Sequence, residues 1–575
     1  MISANKEEIR TFFAYNKQYV VPFFQRAYVW DENYWETLWE HLTQLVESLD
    51  RGEMVEHFFG TIITKQKANN NISEQKIDLI DGQQRLTTFA ILIKAIAMSS
   101  SGNPPYTDLK DNTNQYVVIK NNKGEPQLRI QHSKIDGEYY EDVMLERLSN
   151  TTKKNNILKC YEFFIDKLKD YSDVELEKLL NVLLSRLPVI SMVLSPDDDE
   201  QEIFDTINSL GVRLSSSELL KNYIFQLKDM QVFYKTFWSD IFEDDEDAVD
   251  FWNLKKTAGR ISRSNIEFLL YSFLIINNNE TDIKIEVLFS EYKKWLNNKV
   301  LSEKILFLTE LKDYSTIYYK FPQGELLNEF NFLEKEKRFF YVIENLEITT
   351  VFPLVLYLRK KLDDTNYLYN LEILESYLVR RNICKYTTKN YNKGFIQIIR
   401  QLDAKPSVEK DSLKEILNTF TEDTNLWPSN DDFANAILSE SINHHINAKV
   451  ILFCIALKDQ SNGLNDINKL NSTNYSVEHI LPQKWETNWS ESVMDDEFKL
   501  NRSQKLKTLG NLTIVRPGLN SKMKNNSWDI KKNDLKKYSS LKITTEYLDK
   551  ILWNETEIEN RGLTLSNSCL EIWLK

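Results

Sequence analysis

The sequence predicts a helix-rich α+β protein built of several domains. Three observations lead there. At 575 residues the chain exceeds what one hydrophobic core usually supports. It is 42% hydrophobic, 12% aromatic and 27% charged, the balance of a folded chain, and its scarcity of glycine suits much helix. The texture also changes twice. Strand-like runs and turns fill about the first hundred residues, apolar residues then recur at helical spacing to about residue 460, and short strands, loops and basic helices follow from about 470. The expected division is a mixed domain with a helical extension over 1–230, a helical connecting domain over 231–440 and a small α+β domain over 441–575.

Taken in order, Tyr19-Val20-Val21-Pro22-Phe23 reads as a strand and Tyr34 to Leu45 as an aromatic helix. Phe58 to Thr64 and Lys76 to Ile80 are strand-like, and Asp81-Gly82 turns the chain into a helix from Arg85 to Met98. Residues 103–135, rich in Asn, Gly and Pro, are expected to form surface loops or a hairpin. The middle is helical, as at Ile203, Ile207 and Leu210, or Leu354, Leu356 and Leu358 with their neighbours. Near the end, a strand-like run finishes at His479, a turn at Leu509-Gly510-Asn511 opens a second strand, and a helix starts near Leu519.

Net charge is −13, which argues against indiscriminate coating of nucleic acid, because the global field repels phosphate. Charge is nevertheless segregated. From Lys499 to Lys542, 12 Lys or Arg stand against two acids, Asp529 and Asp534. The acidic excess lies elsewhere, as in Asp197-Asp198-Asp199-Glu200 and Glu243 to Asp247. A lone basic run is usually a solvated surface; this one coincides with the constellation described next. Cys160, Cys384, Cys454 and Cys569 are scattered, with no C-x-x-C, and read as reduced, mostly buried thiols. No apolar signal segment is apparent at the start, and the best apolar run, Ala448 to Leu457, is about half of a membrane span. A cytoplasmic protein with no membrane partner is therefore expected.

Cutting a phosphodiester with one metal needs a base for the water, a cation on the phosphate and a group that holds the base in place. Histidine suits the first role and carboxylate or amide oxygens suit Mg²⁺ or Mn²⁺. Glu478 and His479 stand together at a strand end, and Asn511 and Asn520 follow on the turn and the helix. Singly, each would read as a core histidine or a turn asparagine; the ordered set inside the basic segment reads as a site. His444-His445 makes a poor chelate, since adjacent helical residues point apart, and is expected to be structural. A second constellation is Ile80-Asp81-Gly82-Gln83-Gln84-Arg85. A Gly turn into a helix start attracts anions, and Arg85 could clamp a phosphate, although D-G-x-x-R alone would read as a helix cap. No G-x-x-x-x-G-K-[ST] is present, which excludes a P-loop NTPase.

E-H-I-L-P-Q at 478–483, L-G-N-L-T at 509–513, Asn520 and the Trp528…Lys532 tail resemble the C-terminal HNH domain of GmrSD/SspE-type restriction proteins, in which many relatives carry Asp where this chain has Glu478. That resemblance implies a ββα-metal fold. His479 would be the general base and Asn511 its orienting residue. Glu478 and Asn520 would hold one Mg²⁺ or Mn²⁺, and Lys524, Lys531 and Lys532 would contact phosphate. Pro22 to Trp30, Phe58-Phe59-Gly60, D-G-Q-Q-R, Ile203 to Ser215 and Leu219-Leu220-Lys221-Asn222 resemble the ParB/sulfiredoxin-like N-terminal domain of the same proteins. This implies binding and hydrolysis of a nucleoside triphosphate, GTP being the leading candidate. Gln25, Arg26, Asp81, Gly82, Gln83, Gln84 and Arg85 would bind it, Asp81 and Arg85 would be catalytic, and Asn208 and Gly211 would support. Val379 to Cys384 looks like the helical region before the HNH unit, where Arg380 and Arg381 either touch DNA or form structural salt bridges.

The resemblance thus implies a DNA endonuclease of anti-phage defence that restricts modified or foreign DNA, with nucleotide state or recognition of the modification freeing the nuclease. A homo-oligomer or a partner defence protein is compatible with it. Two other readings stay open: a nucleotide-regulated sensor or adaptor that binds DNA without cutting, and an RNA-cutting abortive-infection toxin.

Overall fold

The computed structural model describes residues 3–575 except 15–16, 23–24, 67–74, 107, 121–123, 133, 148–154, 196–214, 226–227, 259–260, 279, 281–282, 443–444, 462–467 and 491–494. The fold is helix-rich α+β, as the sequence predicts. The chain divides into two compact units, Met1–Tyr234 and Lys235–Lys575.

The first unit is built on a mixed six-stranded sheet. Its order is Ser3–Glu7, Val189–Leu194, Thr61–Gln66, Gln75–Asp81, Lys17–Val20 and Ile130–Gln131. The first two strands pair antiparallel, as do the third and fourth; the other neighbours are parallel. Helix Gln83–Ser99 follows the fourth strand. Its run Phe89-Ala90-Ile91-Leu92-Ile93 is apolar all round and fully buried, as such a helix must be. Helix Glu32–Asp50 instead turns Trp35, Leu38, Trp39, Leu42 and Leu45 inward at helical spacing, and Asp31 caps its start through the Asn33 N–H.

Several expected elements shift for local reasons. The strand expected over Phe58–Thr64 begins at Thr61, because Gly60 sits at φ +97° and interrupts extended backbone. Residues 103–135 hold a helix, Leu109–Val117, as well as the hairpin of Val118–Lys120 with Pro126–Leu128. Leu109, Thr113 and Val117 recur every four residues, which buries them along one helix face. Val189–Leu194, inside the stretch read as helical, is a strand rich in β-branched residues and fills the sheet between Ser3–Glu7 and Thr61–Gln66. Residues 203–214 of the expected motif, with Asn208 and Gly211, lie outside the described residues.

The second unit is mostly helical. Arg380 and Arg381 of helix Asp364–Ile383 are fully buried. Arg380 donates to the Trp573 carbonyl at 2.9 and 2.7 Å and to that of Pro428 at 3.2 Å. Arg381 donates to the carbonyls of Leu426, Thr387 and Thr424 at 2.7, 2.9 and 3.0 Å. Of the two roles expected for these arginines, a structural one is found, but as hydrogen bonds and, among the described residues, not as the expected salt bridges. It works through backbone carbonyls, since the guanidinium fork satisfies several at once. Helix His445–Gln460, which contains the Ala448–Leu457 run, packs on the strands Ser476–His479 and Leu512–Val515. Among the described residues no helix is long and apolar enough to cross a membrane. Cys160, Cys454 and Cys569 are buried, Cys384 is half-buried, and all are free thiols.

Candidate active site

Ser476–His479 and Leu512–Val515 pair antiparallel, with Glu478 opposite Thr513 and His479 opposite Leu512. Pro517–Met523 then forms a helix, with proline in its first turn where no N–H partner is needed. Its Asn520 donates from Nδ2 to Ser476 Oγ at 3.1 Å and to the Val477 carbonyl at 2.9 Å. That ties the helix to the first strand and leaves the Oδ1 lone pairs without a hydrogen bond among the described residues. Two strands and a helix thus bring Glu478, His479 and Asn520 into one small unit.

His479 is half-buried. Gln483 Nε2 lies 3.3 Å from its Nε2, and the His445 ring stands 5.5 Å away at 70°. A glutamine amide can turn either its oxygen or its nitrogen to the ring, so Gln483 fixes the imidazole plane without dictating the tautomer. Burial, then the neighbouring His445 and Lys531, push the His479 pKa down to about 4. The imidazole is neutral at neutral pH, the form a general base needs.

Asn511 corrects an expectation. It is fully buried, and its Oδ1 accepts from the Leu481 N–H at 2.9 Å and from Trp553 Nε1 at 3.2 Å. Its Nδ2 donates to the carbonyls of Leu481 at 2.8 Å and Leu506 at 3.0 Å. The amide is fully engaged and does not reach the imidazole. It pins the backbone of the turn that follows His479, where the Ile480 N–H also bonds the Asn511 carbonyl at 2.9 Å. Gly510 beside it admits no side chain, since a Cβ would stand 2.1 Å from the Ile558 carbonyl oxygen. Buried Arg561 donates to the carbonyls of Gly510 and Leu512 at 2.8 and 2.7 Å and closes the turn from below.

Lys531 corrects another. Expected on phosphate, it is buried, and its Nζ lies 2.6 Å from Glu478 Oε1 and 2.8 Å from the His479 carbonyl. Burial pushes the Glu478 carboxyl up and the Lys531 ammonium down, and the attraction between them opposes both shifts. Lys532 is half-buried and donates to the Lys550 carbonyl at 2.6 Å, while Lys524 is exposed. The donor set fits a hard divalent cation sparingly. The Glu478 carboxylate, once released by Lys531, and the Asn520 oxygen would offer two ligands, and Mg²⁺ commonly takes only one or two protein oxygens plus water and substrate phosphate. Among the described residues no group of three His, Cys, Asp or Glu side chains could hold a metal.

In the first unit, D-G-Q-Q-R joins strand Gln75–Asp81 to helix Gln83–Ser99, with Gly82 at φ +88° capping the helix. The glutamines are buried and serve the backbone instead of facing a ligand. Gln25 donates to the carbonyls of Leu79 and Ile80 at 2.7 and 3.0 Å. Gln84 accepts from Val29 N–H at 2.8 Å and donates to Ala27, and Gln83 donates to Arg26 at 2.6 Å. They staple residues 25–30 to the loop, a role their amides can fill because each carries both donor and acceptor. Arg85 donates to the Thr61 carbonyl at 2.7 Å and stands 3.7 Å from Asp81; both side chains keep a partly open face. Arg26 is half-buried. Among the described residues, buried Gln83 Oε1 has no hydrogen-bond partner. Of the expected nucleotide set, Asp81 and Arg85 remain best placed to meet a ligand.

His445, Gln483, Trp553 and Arg561 escaped the sequence reading. Gln483 stood inside the E-H-I-L-P-Q motif with no role attached. In sequence His445 reads only as half of a poor chelating pair. Nothing in the local sequence marks Trp553 or Arg561 as supports for a turn some forty to fifty residues upstream.

No curated protein matches the chain. Residues 9–225 match the model of the GmrSD restriction endonuclease N-terminal domain, and residues 427–567 match that of the GmrSD restriction endonuclease C-terminal domain. Together the matches span more than half of the sequence, the first within the sheet-bearing unit and the second across the His479 turn with its supports Trp553 and Arg561. The chain therefore belongs to the GmrSD restriction endonuclease family.

Proposed function

We propose that this restriction endonuclease is of the HNH type, and that a nucleoside triphosphate on the Asp81–Arg85 loop regulates its cutting of modified or foreign DNA. The observation that carries the reading is His479, half-buried at the end of a strand whose following turn is pinned by Asn511. With the Gln483 carbonyl oxygen turned to Nε2–H, the other ring nitrogen is the basic one and takes the proton of the attacking water. Gln483 and His445 keep the ring from swinging, which preserves the attack geometry. Glu478 and Asn520 would hold Mg²⁺ or Mn²⁺, which supplies charge for the phosphate and the leaving oxygen. In the first unit, Arg85 would clamp phosphate and Asp81 would orient the metal or water of a triphosphate, with GTP tested first.

Plasmid digestion with Mg²⁺ or Mn²⁺ tests the nuclease, with wild type expected to cut and His479→Ala not. Phosphate release from GTP, ATP, CTP and UTP, compared between wild type and Arg85→Ala, tests the loop. A second reading has one observation in its favour: Lys531 already neutralises Glu478, as in a site that binds DNA without cutting. Absence of metal-dependent cleavage on modified and unmodified DNA, with DNA binding intact, would establish that sensor or adaptor. Cleavage of total RNA but not DNA would establish the toxin.

A further inference from the structure

A cleft of about 710 Å³ opens beside the nuclease unit. Its walls are the turn at 473–475, the start of helix Pro517–Met523 and the end of helix Trp528–Tyr538. The charged side chains lining it are Arg516 and Lys522, both cations, and the polar remainder includes Thr473, Asn474, Tyr475 and Ser539. Arg516 is exposed, and its side chain makes no hydrogen bond or ion pair among the described residues. It lies close enough to Tyr475 to favour the phenolate, against the burial that raises that phenol. Lys522 pairs with Asp534 and stands 4.6 Å over the Tyr538 ring.

The cleft is lined by residues that neighbour the site's own residues in the chain. Tyr475 precedes Ser476, whose hydroxyl holds Asn520, and Leu519, also in the lining, precedes Asn520 itself. Charge for phosphate has to come from somewhere in this unit. Of the three lysines expected to supply it, Lys531 and Lys532 are occupied by Glu478 and by the Lys550 carbonyl, which leaves the exposed Lys524.

We propose that this cleft, with Arg516 as its anchor, binds the sugar–phosphate backbone of the DNA strand flanking the scissile phosphate. Guanidinium grips phosphate through paired N–H groups, and hydroxyl and amide side chains add contacts to phosphate oxygens that carry no sequence information. A volume of about 710 Å³ accommodates a short length of backbone and is far too small for a duplex. The inference rests on the nuclease reading above, and its test separates the two.

The test uses the full chain carrying His479→Ala, so that DNA is bound and not cut, and follows binding of a fluorescent duplex as salt is raised. Adding Arg516→Ala should weaken binding several-fold and lower the slope of log K against log salt by about 0.9, one phosphate contact. Adding Lys522→Ala as well should lower it further. Lys320→Ala, an exposed cation outside the cleft, should change neither. In the otherwise wild-type chain, Arg516→Ala should raise KM with kcat nearly unchanged. Unchanged slope and KM for Arg516→Ala, in a protein that still cuts DNA, would overturn the cleft and spare the nuclease. A wild-type chain that neither binds nor cuts DNA would overturn both.

Discussion

Replacing Lys531 with methionine isolates the buried pair at the centre of the candidate site. At 2.6 Å the attraction amounts to about 6 kcal/mol for an effective dielectric of about 20. Removing the two ions from water opposes it by several kcal/mol each, so the intact pair lies near balance. The consequence of removing one half is larger. Glu478 stays buried and loses its counter-charge, and the His479 carbonyl loses a donor, at a cost of about 3–5 kcal/mol. The pH sign follows from the raised carboxyl. Burial already holds Glu478 above the usual 4.5, and without the ammonium it rises further. A raised folded-state pKa means stability kept at low pH and lost as pH climbs through that pKa. Urea unfolding of the full chain should therefore show a larger deficit at about pH 8 than at about pH 5. The double variant Glu478→Gln with Lys531→Met should recover most of the loss, because no charge remains buried. Mn²⁺ should raise the melting temperature of Lys531→Met more than that of wild type, because the ion then meets a carboxylate freed of its lysine. A Lys531→Met protein as stable as wild type at about pH 8, or equally weakened at both pH values, would refute the reasoning.

Asn511→Ala leaves the Leu481 N–H and Trp553 Nε1 donors buried without partners, so unfolding should show a loss of about 2–5 kcal/mol, with cleavage abolished even where the protein remains folded. His479→Ala should abolish cleavage with a stability change under about 1 kcal/mol, since its ring is only half-buried. With His479 depressed to about 4, kcat/KM for DNA should stay level below the ordinary histidine value of 6.5 and fall only toward about 4; an acid limb centred near 6.5 would show that the ring is not desolvated. Gly60→Ala should cut nucleotide affinity at least several-fold in a titration, because its Cβ would stand 2.7 Å from Arg85 Nε at a φ of +97° and force the guanidinium aside. Deleting Trp573 to Lys575 should lower the melting temperature of the second unit, because Arg380 then loses the Trp573 carbonyl it holds with two N–H groups.

Much of this molecule was legible from the order of its residues. Hydrophobic periodicity and turn chemistry are local, so the Gln83–Ser99 helix, the Ser476–His479 strand and the helix bearing Asn520 could all be read from neighbouring positions. So could the motifs that place the chain in its family, because a Gly turn before a helix or an asparagine at a strand start carries its meaning in sequence. Partnership could not be read. Lys531 was expected on phosphate because it is a cation in a basic run, yet it faces a carboxylate 53 positions upstream. Gln25, Gln83 and Gln84 looked like ligand-facing amides, and the fold closes them on backbone carbonyls and N–H groups. His445 gained significance only when its helix settled beside His479. The physical reason is common to all three. Backbone conformation responds to residues a few positions away, whereas the partner of a buried polar group is whichever group lies across the core, and desolvation makes that choice consequential.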